Sequence, residues 1–224
     1  MQVQLLGGFG VESLATPRLS VQRLVAYLAI KPRPHQREDV AAALWPYRSR
    51  DQAGSNLRNT LFQARHEAQE LVESSRRAVR LVPEAEVDLL RAEETARRLT
   101  AGGPPAADDL ELLSDEILPG WEDPWVRTER RRWHERRVEA LEILSDLLRS
   151  LGQQGGAAAA AEAAVTAEPF RERAAAMLAE AYLAAGDPIT AAATREEYRL
   201  RVGLGSREAA ASRPNARWER ALLR

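Results

Sequence analysis

The 224-residue sequence carries 32 basic and 33 acidic residues, a formal net charge of −1, and no cysteine. Without cysteine there can be no disulfide, zinc ribbon or thiol nucleophile, and three scattered histidines make a poor metal site, so neither a metal nor another cofactor is expected. The start, MQVQLLGGFG, has no basic segment leading into a long apolar run, and no stretch of about 18 apolar residues follows, so the expectation is a cytoplasmic protein without membrane contact.

The charge is uneven along the chain. Residues 1–82 hold 12 basic against 7 acidic residues, residues 83–118 hold 3 against 10, and the remainder is nearly balanced. Electrostatic partners respond to such local patches rather than to the total. Lys31 is the only lysine; the preponderance of arginine, with abundant alanine, reads as genomic composition rather than selection for guanidinium chemistry.

Val3, Leu5, the Gly-rich GGFG and Val11 read as short strands around a turn. From Arg18 the period becomes helical, with Val21, Leu24, Val25 and Leu28 on one face, and the run Lys31-Pro32-Arg33-Pro34 ends this first helix. A second helix spans Gln36 to Trp45 and is halted by Pro46. The third, from about Gln52 to Gln69, places Ala53, Leu57, Leu61, Ala64 and Ala68 on its buried stripe.

The opposite face of that helix holds Ser55, Asn59, Phe62 and His66, flanked by Arg58 and Gln63. These side chains suit a DNA groove: arginine reaches guanine O6 and N7, asparagine and glutamine reach adenine N6 and N7, and an apolar group meets a thymine methyl. Next, Leu71 to Glu73 and Ala78 to Val82 read as a hairpin with Arg76 and Arg77 in its turn and Arg80 alongside. Three helices closed by an Arg-tipped hairpin define a winged helix-turn-helix over residues 1–84, whose tip suits a narrow, electronegative minor groove.

Residues 85–122 read as an acidic helical connector, solvated rather than inhibitory, with one helix from Val87 to Leu99 and another from Asp108 to Leu118 around Gly102-Gly103-Pro104-Pro105. Asp123 as N-cap and Pro124 in the first turn start a long helix with Trp133, Leu141, Leu144, Leu148 and Leu151 as its stripe. Its arginine run from Arg127 to Arg137 reads as a solvated face paired with Glu129, Glu135 and Glu139. Leu148 to Gly152 and Tyr182 to Gly186 are offset by 34 residues, the tetratricopeptide period, so Ala157 to Ala161 reads as close helix packing. Trp218, Leu222 and Leu223 suit a terminal amphipathic helix. The expected fold is mainly α with a small β component, a winged helix followed by an all-α domain over residues 85–224.

The runs Leu5-Leu6-Gly7-Gly8-Phe9, Gln22-Arg23-Leu24, Ala43-Leu44-Trp45-Pro46 and Ser55-Asn56-Leu57-Arg58-Asn59-Thr60-Leu61-Phe62 resemble the OmpR-type winged helix of SARP regulators, the antibiotic-pathway activators of actinobacteria. Leu118-Pro119-Gly120-Trp121, Asp123, Trp125-Val126 and Glu129-Arg130 resemble the entry to their bacterial transcriptional activator domain. The C-terminus departs from this pattern, with Val202-Gly203-Leu204-Gly205 and a proline only at Pro214 where relatives have a Leu-Gly turn and a Pro-led helix.

The resemblance implies promoter DNA with direct repeats as one partner, RNA polymerase as another, and a homodimer on DNA. It places Asn56 and Arg58 in the recognition motif, and Tyr47, Arg48, Arg50 and Asp51 in a loop near polymerase. Asn56 lies nearer the buried stripe than Ser55 and is placed either to read a base or to cap or brace the helix instead, and Phe62 is placed either to meet a base or to support the wing. The competing expectation is a tetratricopeptide adaptor whose winged helix binds protein. No nucleophile-base pair, phosphate loop or metal spacing marks an enzyme. A phosphoacceptor receiver or phosphothreonine-reading module is not expected either, which leaves abundance, ligand or partner as the input.

Overall fold

A computed structural model describes residues 1–12, 17–68 and 71–211, with side chains described to residue 203. The terminal helix expected around Trp218 lies outside the described residues, as does Gln69. Contacts divide the chain into two units, residues 1–137 and 138–224. The boundary expected at 84/85 does not coincide with this division.

The first unit begins with β1 (Gln2–Gln4) and β2 (Gly10–Val11), followed by α1 (Leu19–Ile30), β3 (His35–Gln36), α2 (Arg37–Leu44) and α3 (Arg50–Glu67). The hairpin β4 (Val72–Ser74) and β5 (Ala78–Leu81) pairs antiparallel with Ser74 opposite Val79, and β3 adds a third strand, His35 opposite Val79. A second sheet, ordered β2-β1-β6, pairs β1 antiparallel with β2 and parallel with β6 (Glu86–Val87). The stripes of α1, α2 and α3 meet in a core of Val21, Leu24, Leu28, Val40, Leu44, Leu57 and Leu61.

The segment after β6 is packed, which corrects the expectation of a solvated connector. In α4 (Asp88–Thr100) Leu89, Ala92, Ala96 and Leu99 are buried, and the acidic residues occupy the other face or have partners. The Asp88 carboxylate accepts from the backbone N–H groups of Leu5 at 2.9 Å and Leu6 at 3.0 Å, pinning the N-terminal strand. Burial pushes that carboxyl above its ordinary value, against the opposing pull of those N–H bonds.

Helix α5 (Asp109–Ser114) is shorter than the expected run to Leu118. Ile117 leaves it to bridge Leu6, and Leu118, at φ 42°, donates its N–H to the Leu5 carbonyl at 2.8 Å. Backbone groups bonded to Leu5 and Leu6 are not free to close helical hydrogen bonds, so the helix stops before them.

The arginine run of α6 (Pro124–Ser150) is only partly solvated, a second correction. Arg130 donates to the carbonyls of Ile117 at 2.9 Å and Trp121 at 3.0 Å, and buried Arg137 donates to that of Ser114 at 2.9 Å. Arg132 pairs with Glu129 at 3.3 Å as the sequence suggested, while Arg136 reaches Glu93 on α4 at 2.9 Å. Asp123, expected as an N-cap side chain, gives its carboxylate to the Arg23 guanidinium.

In the second unit, α7 (Gln154–Ala167) packs on α8 (Glu172–Ala184), which packs on α9 (Pro188–Ala211). Ala157, Ala160, Ala161 and Ala164 are the buried face of α7, and a Cβ on Gly156 would stand 3.2 Å from the Leu148 side chain. The repeat of 34 residues is visible in hydrogen bonds. Gly152 N–H meets Arg149 O at 3.0 Å and Gln153 N–H meets Leu148 O at 2.9 Å, and Gly186 with Leu183 and Asp187 with Tyr182 reproduce the pair at 3.0 and 2.9 Å. Leu151 follows the end of α6 and is exposed, so it falls off the expected stripe.

Gly152 and Gly186 hold φ of +73° and +81°, and nothing stands within 4 Å of a Cβ on either. Alanine at either site therefore meets only the backbone cost of the left-handed conformation, about 1–2 kcal/mol. Near-equal losses for Gly152→Ala and Gly186→Ala are expected in urea unfolding, and a loss at one site alone would break the equivalence of the two turns.

Candidate nucleic-acid interface

Helix α3 is started firmly. The Ser49 side chain accepts from the N–H of Gln52, and the Gln52 side chain reaches back to the Ser49 N–H, a capping box that fixes where the helix begins. Ala53, Leu57, Thr60, Leu61 and Ala64 are buried, which turns Arg58, Asn59, Phe62 and His66 outward, with Ser55, Asn56 and Gln63 half-buried. The first turn carries Asp51 and the last Arg65 and His66, matching the helix dipole at both ends.

The outward residues differ in their freedom. Arg58 donates to Ser55 Oγ at 2.6 Å, so these two act as a unit. Gln63 Oε1 accepts from Ser20 Oγ on α1 at 3.1 Å, which makes Gln63 a brace. Phe62 is 65 % exposed, and its ring meets the His66 ring edge-on at 5.3 Å.

The turn between β4 and β5 is shaped by Ser75. Its Oγ accepts from the N–H of Arg77 at 3.3 Å and Ala78 at 3.0 Å, while its own N–H meets Ala78 O at 2.8 Å. Arg76 and Arg77 are left exposed at the tip. Arg80 is occupied by Glu73 across the hairpin at 2.6 Å and lies in a different hollow, with Pro34 and Ser74.

Arg37 was missed by the sequence reading. Its N–H bonds Arg77 O at 3.1 Å and its guanidinium bonds Ser75 O at 3.0 Å, tying the hairpin tip to the start of α2. The only signal was a two-residue strand, too short for any periodicity.

These elements enclose an open groove of about 1260 Å³, lined by Arg37, Ser55, Arg58, Arg76 and Arg77 among others. Arg48, Arg50 and Asp51 reach it as well, whereas Asn59, Phe62, Gln63, His66 and Arg80 do not. Of the residues expected in a loop, Tyr47 and Arg48 lie between α2 and α3, with Tyr47 91 % exposed, whereas Arg50 and Asp51 form the first turn of α3; Arg50 is paired with Glu38, whose carboxyl is held below its ordinary value by that hydrogen bond. Behind the groove, Arg23 of α1 donates to the Leu44 carbonyl at 2.6 Å as well as to Asp123, so the end of α2 and the start of α6 share one cation.

A tri-helical unit with a basic hairpin beside its third helix is a winged helix. Residues 105–214 match the family model of the bacterial transcriptional activator domain. Among solved structures the fold is similar to that of Mycobacterium tuberculosis EmbR, determined in complex with a low-affinity phosphopeptide, with a TM-score of 0.57 at 22 % identity. The similarity covers 90 % of this chain and 59 % of that one. No curated protein sequence matches the chain. No described helix is long and apolar enough to cross a membrane.

Proposed function

We propose that the chain activates transcription by laying α3 in the major groove of promoter DNA with the β4–β5 tip in the adjacent minor groove. Residues 1–84 do the reading, and residues 85–224 supply the contacts of an activator, to RNA polymerase and to a second copy on a neighbouring direct repeat. The observation that carries this is exposed Arg58, with half-buried Ser55, lining one groove with the exposed Arg76 and Arg77 of the tip, while Asn59, Phe62 and His66 continue the outward face of α3.

In this reading Arg58 reaches guanine O6 and N7, and Asn59 reaches adenine N6 and N7. Ser55 orients Arg58, while Asn56 and Gln63 hold the helix in place. Arg76 and Arg77 enter the minor groove, and Arg80, held by Glu73, stiffens the hairpin. Tyr47 and Arg48, with Arg50 and Asp51 of the first turn of α3, face polymerase. A protein working on the chromosome acts in the cytoplasm.

Binding of a promoter-length duplex at several salt concentrations tests the reading. Each phosphate contact contributes about 0.9 to the slope of log affinity against log salt, so the double variant Arg76→Ala/Arg77→Ala is expected to flatten the slope by roughly 2. Salt-independent or absent binding by the unaltered chain would sink the proposal and favour a protein-binding adaptor.

A further inference from the structure

We infer that Phe62 is a specificity-determining contact that seats the C5-methyl group of one thymine in the operator; this rests on the proposed reading that α3 enters the major groove. At about 100° per residue, Phe62 projects nearly opposite the buried stripe of Ala53, Leu57 and Ala64, two turns along from Ser55 and between Asn59 and His66. It is therefore an apolar ring in the middle of a row of hydrogen-bonding side chains, and 65 % of it is exposed.

The hollow between α3 and the hairpin is walled by Leu61, Ala64, Arg65, His66, Val72 and Ser74, and Phe62 is not among them. Its aromatic contact is the edge-on His66 ring at 5.3 Å, one turn along the same helix, which limits the positions the Phe62 ring can take. Of the base edges in the major groove, only thymine presents an apolar group; the others offer donors and acceptors that a phenyl ring cannot pair with. A ring at the centre of the reading face thus favours thymine at one position, while its neighbour Asn59 is suited to adenine.

Operators selected by the full chain from a random duplex library, with each thymine then replaced in turn by deoxyuridine, test this directly, since the two bases differ by that methyl alone. One position is expected at which the replacement weakens binding about three- to fourfold, the value of one buried methyl-sized group. Phe62→Ala is expected to bind thymine and uridine alike at that position, and Phe62→Leu to keep part of the difference. The exposure of Phe62 predicts that both variants fold with unchanged thermal melting. Sensitivity at no position, or sensitivity that persists in Phe62→Ala, overturns the inference while leaving DNA reading intact. Failure of the unaltered chain to enrich any sequence overturns both.

Discussion

Arg58→Ala is expected to weaken binding to the preferred operator roughly ten- to a hundredfold, the 1–3 kcal/mol carried by one bidentate arginine-guanine contact. Arg58 is exposed on α3, is aimed by Ser55 at 2.6 Å, and lines the same groove as Arg76 and Arg77. Alanine is at least as good a helix former as arginine, so the helix itself is preserved and the change reports on recognition. The pattern of loss matters as much as its size. A base-reading residue loses affinity for one base pair and becomes indifferent to substitutions there, whereas a phosphate-binding residue loses affinity for all sequences alike and lowers the salt slope by about 1. Anisotropy titrations of the selected operator and its single-base variants separate the two. A uniform loss across all variants would assign Arg58 to the backbone and leave Asn59 and Phe62 as the readers. Ser55→Ala, which removes only the oxygen that aims Arg58, is expected to cost less and to act at the same base pair.

What the sequence makes legible here is whatever repeats locally. The stripe of α3 is written in Ala53, Leu57, Leu61 and Ala64 at helical spacing, and the two equivalent turns at Gly152 and Gly186 are written as a repeat of 34. The outward row on α3 follows from the same period, so the candidate site was readable as a face before its neighbours were known. Its refinement was not. Glu73 occupying Arg80, Ser20 holding Gln63 and Arg37 buttressing the turn are single pairings between elements, and no periodicity encodes them.

The same limit explains the connector. The acidic content of residues 85–122 predicts solvation, yet Asp88 serves Leu5 and Leu6 some eighty residues away, and Asp109 of α5 is buried against Arg98. Arg23 and Asp123 are a hundred residues apart in sequence and in direct contact. Charge along a helix predicts solvent only where no backbone carbonyl or opposite charge is brought to it by the rest of the fold.

The largest stability effect is expected at Trp133. Arg130, Trp133 and Arg137 lie at intervals of three and four on α6 and so share one face. All three donate to carbonyls of the segment 114–121: Arg137 to Ser114, Trp133 Nε1 to Asp115 at 3.0 Å, and Arg130 to Ile117, Leu118 and Trp121. The same segment pairs with the N-terminal strand through Ile117 and Leu118, so the seam ties three stretches of chain. Trp133 is 1 % exposed and the bulkiest of the fully buried side chains. Removing it leaves a large cavity and an unpaired carbonyl, and Trp133→Ala is expected to cost about 3–5 kcal/mol. Set against the 5–15 kcal/mol typical of a folded domain, that is enough to populate unfolded chain near physiological temperature. Trp133→Phe keeps much of the volume and loses the donor, so its expected cost is nearer 1–2 kcal/mol. Urea unfolding followed by circular dichroism measures both. A Trp133→Ala loss below about 1 kcal/mol, on the scale of ordinary surface changes, would mean that the seam is wet and that the arginine run of α6 is the solvated face its composition suggests.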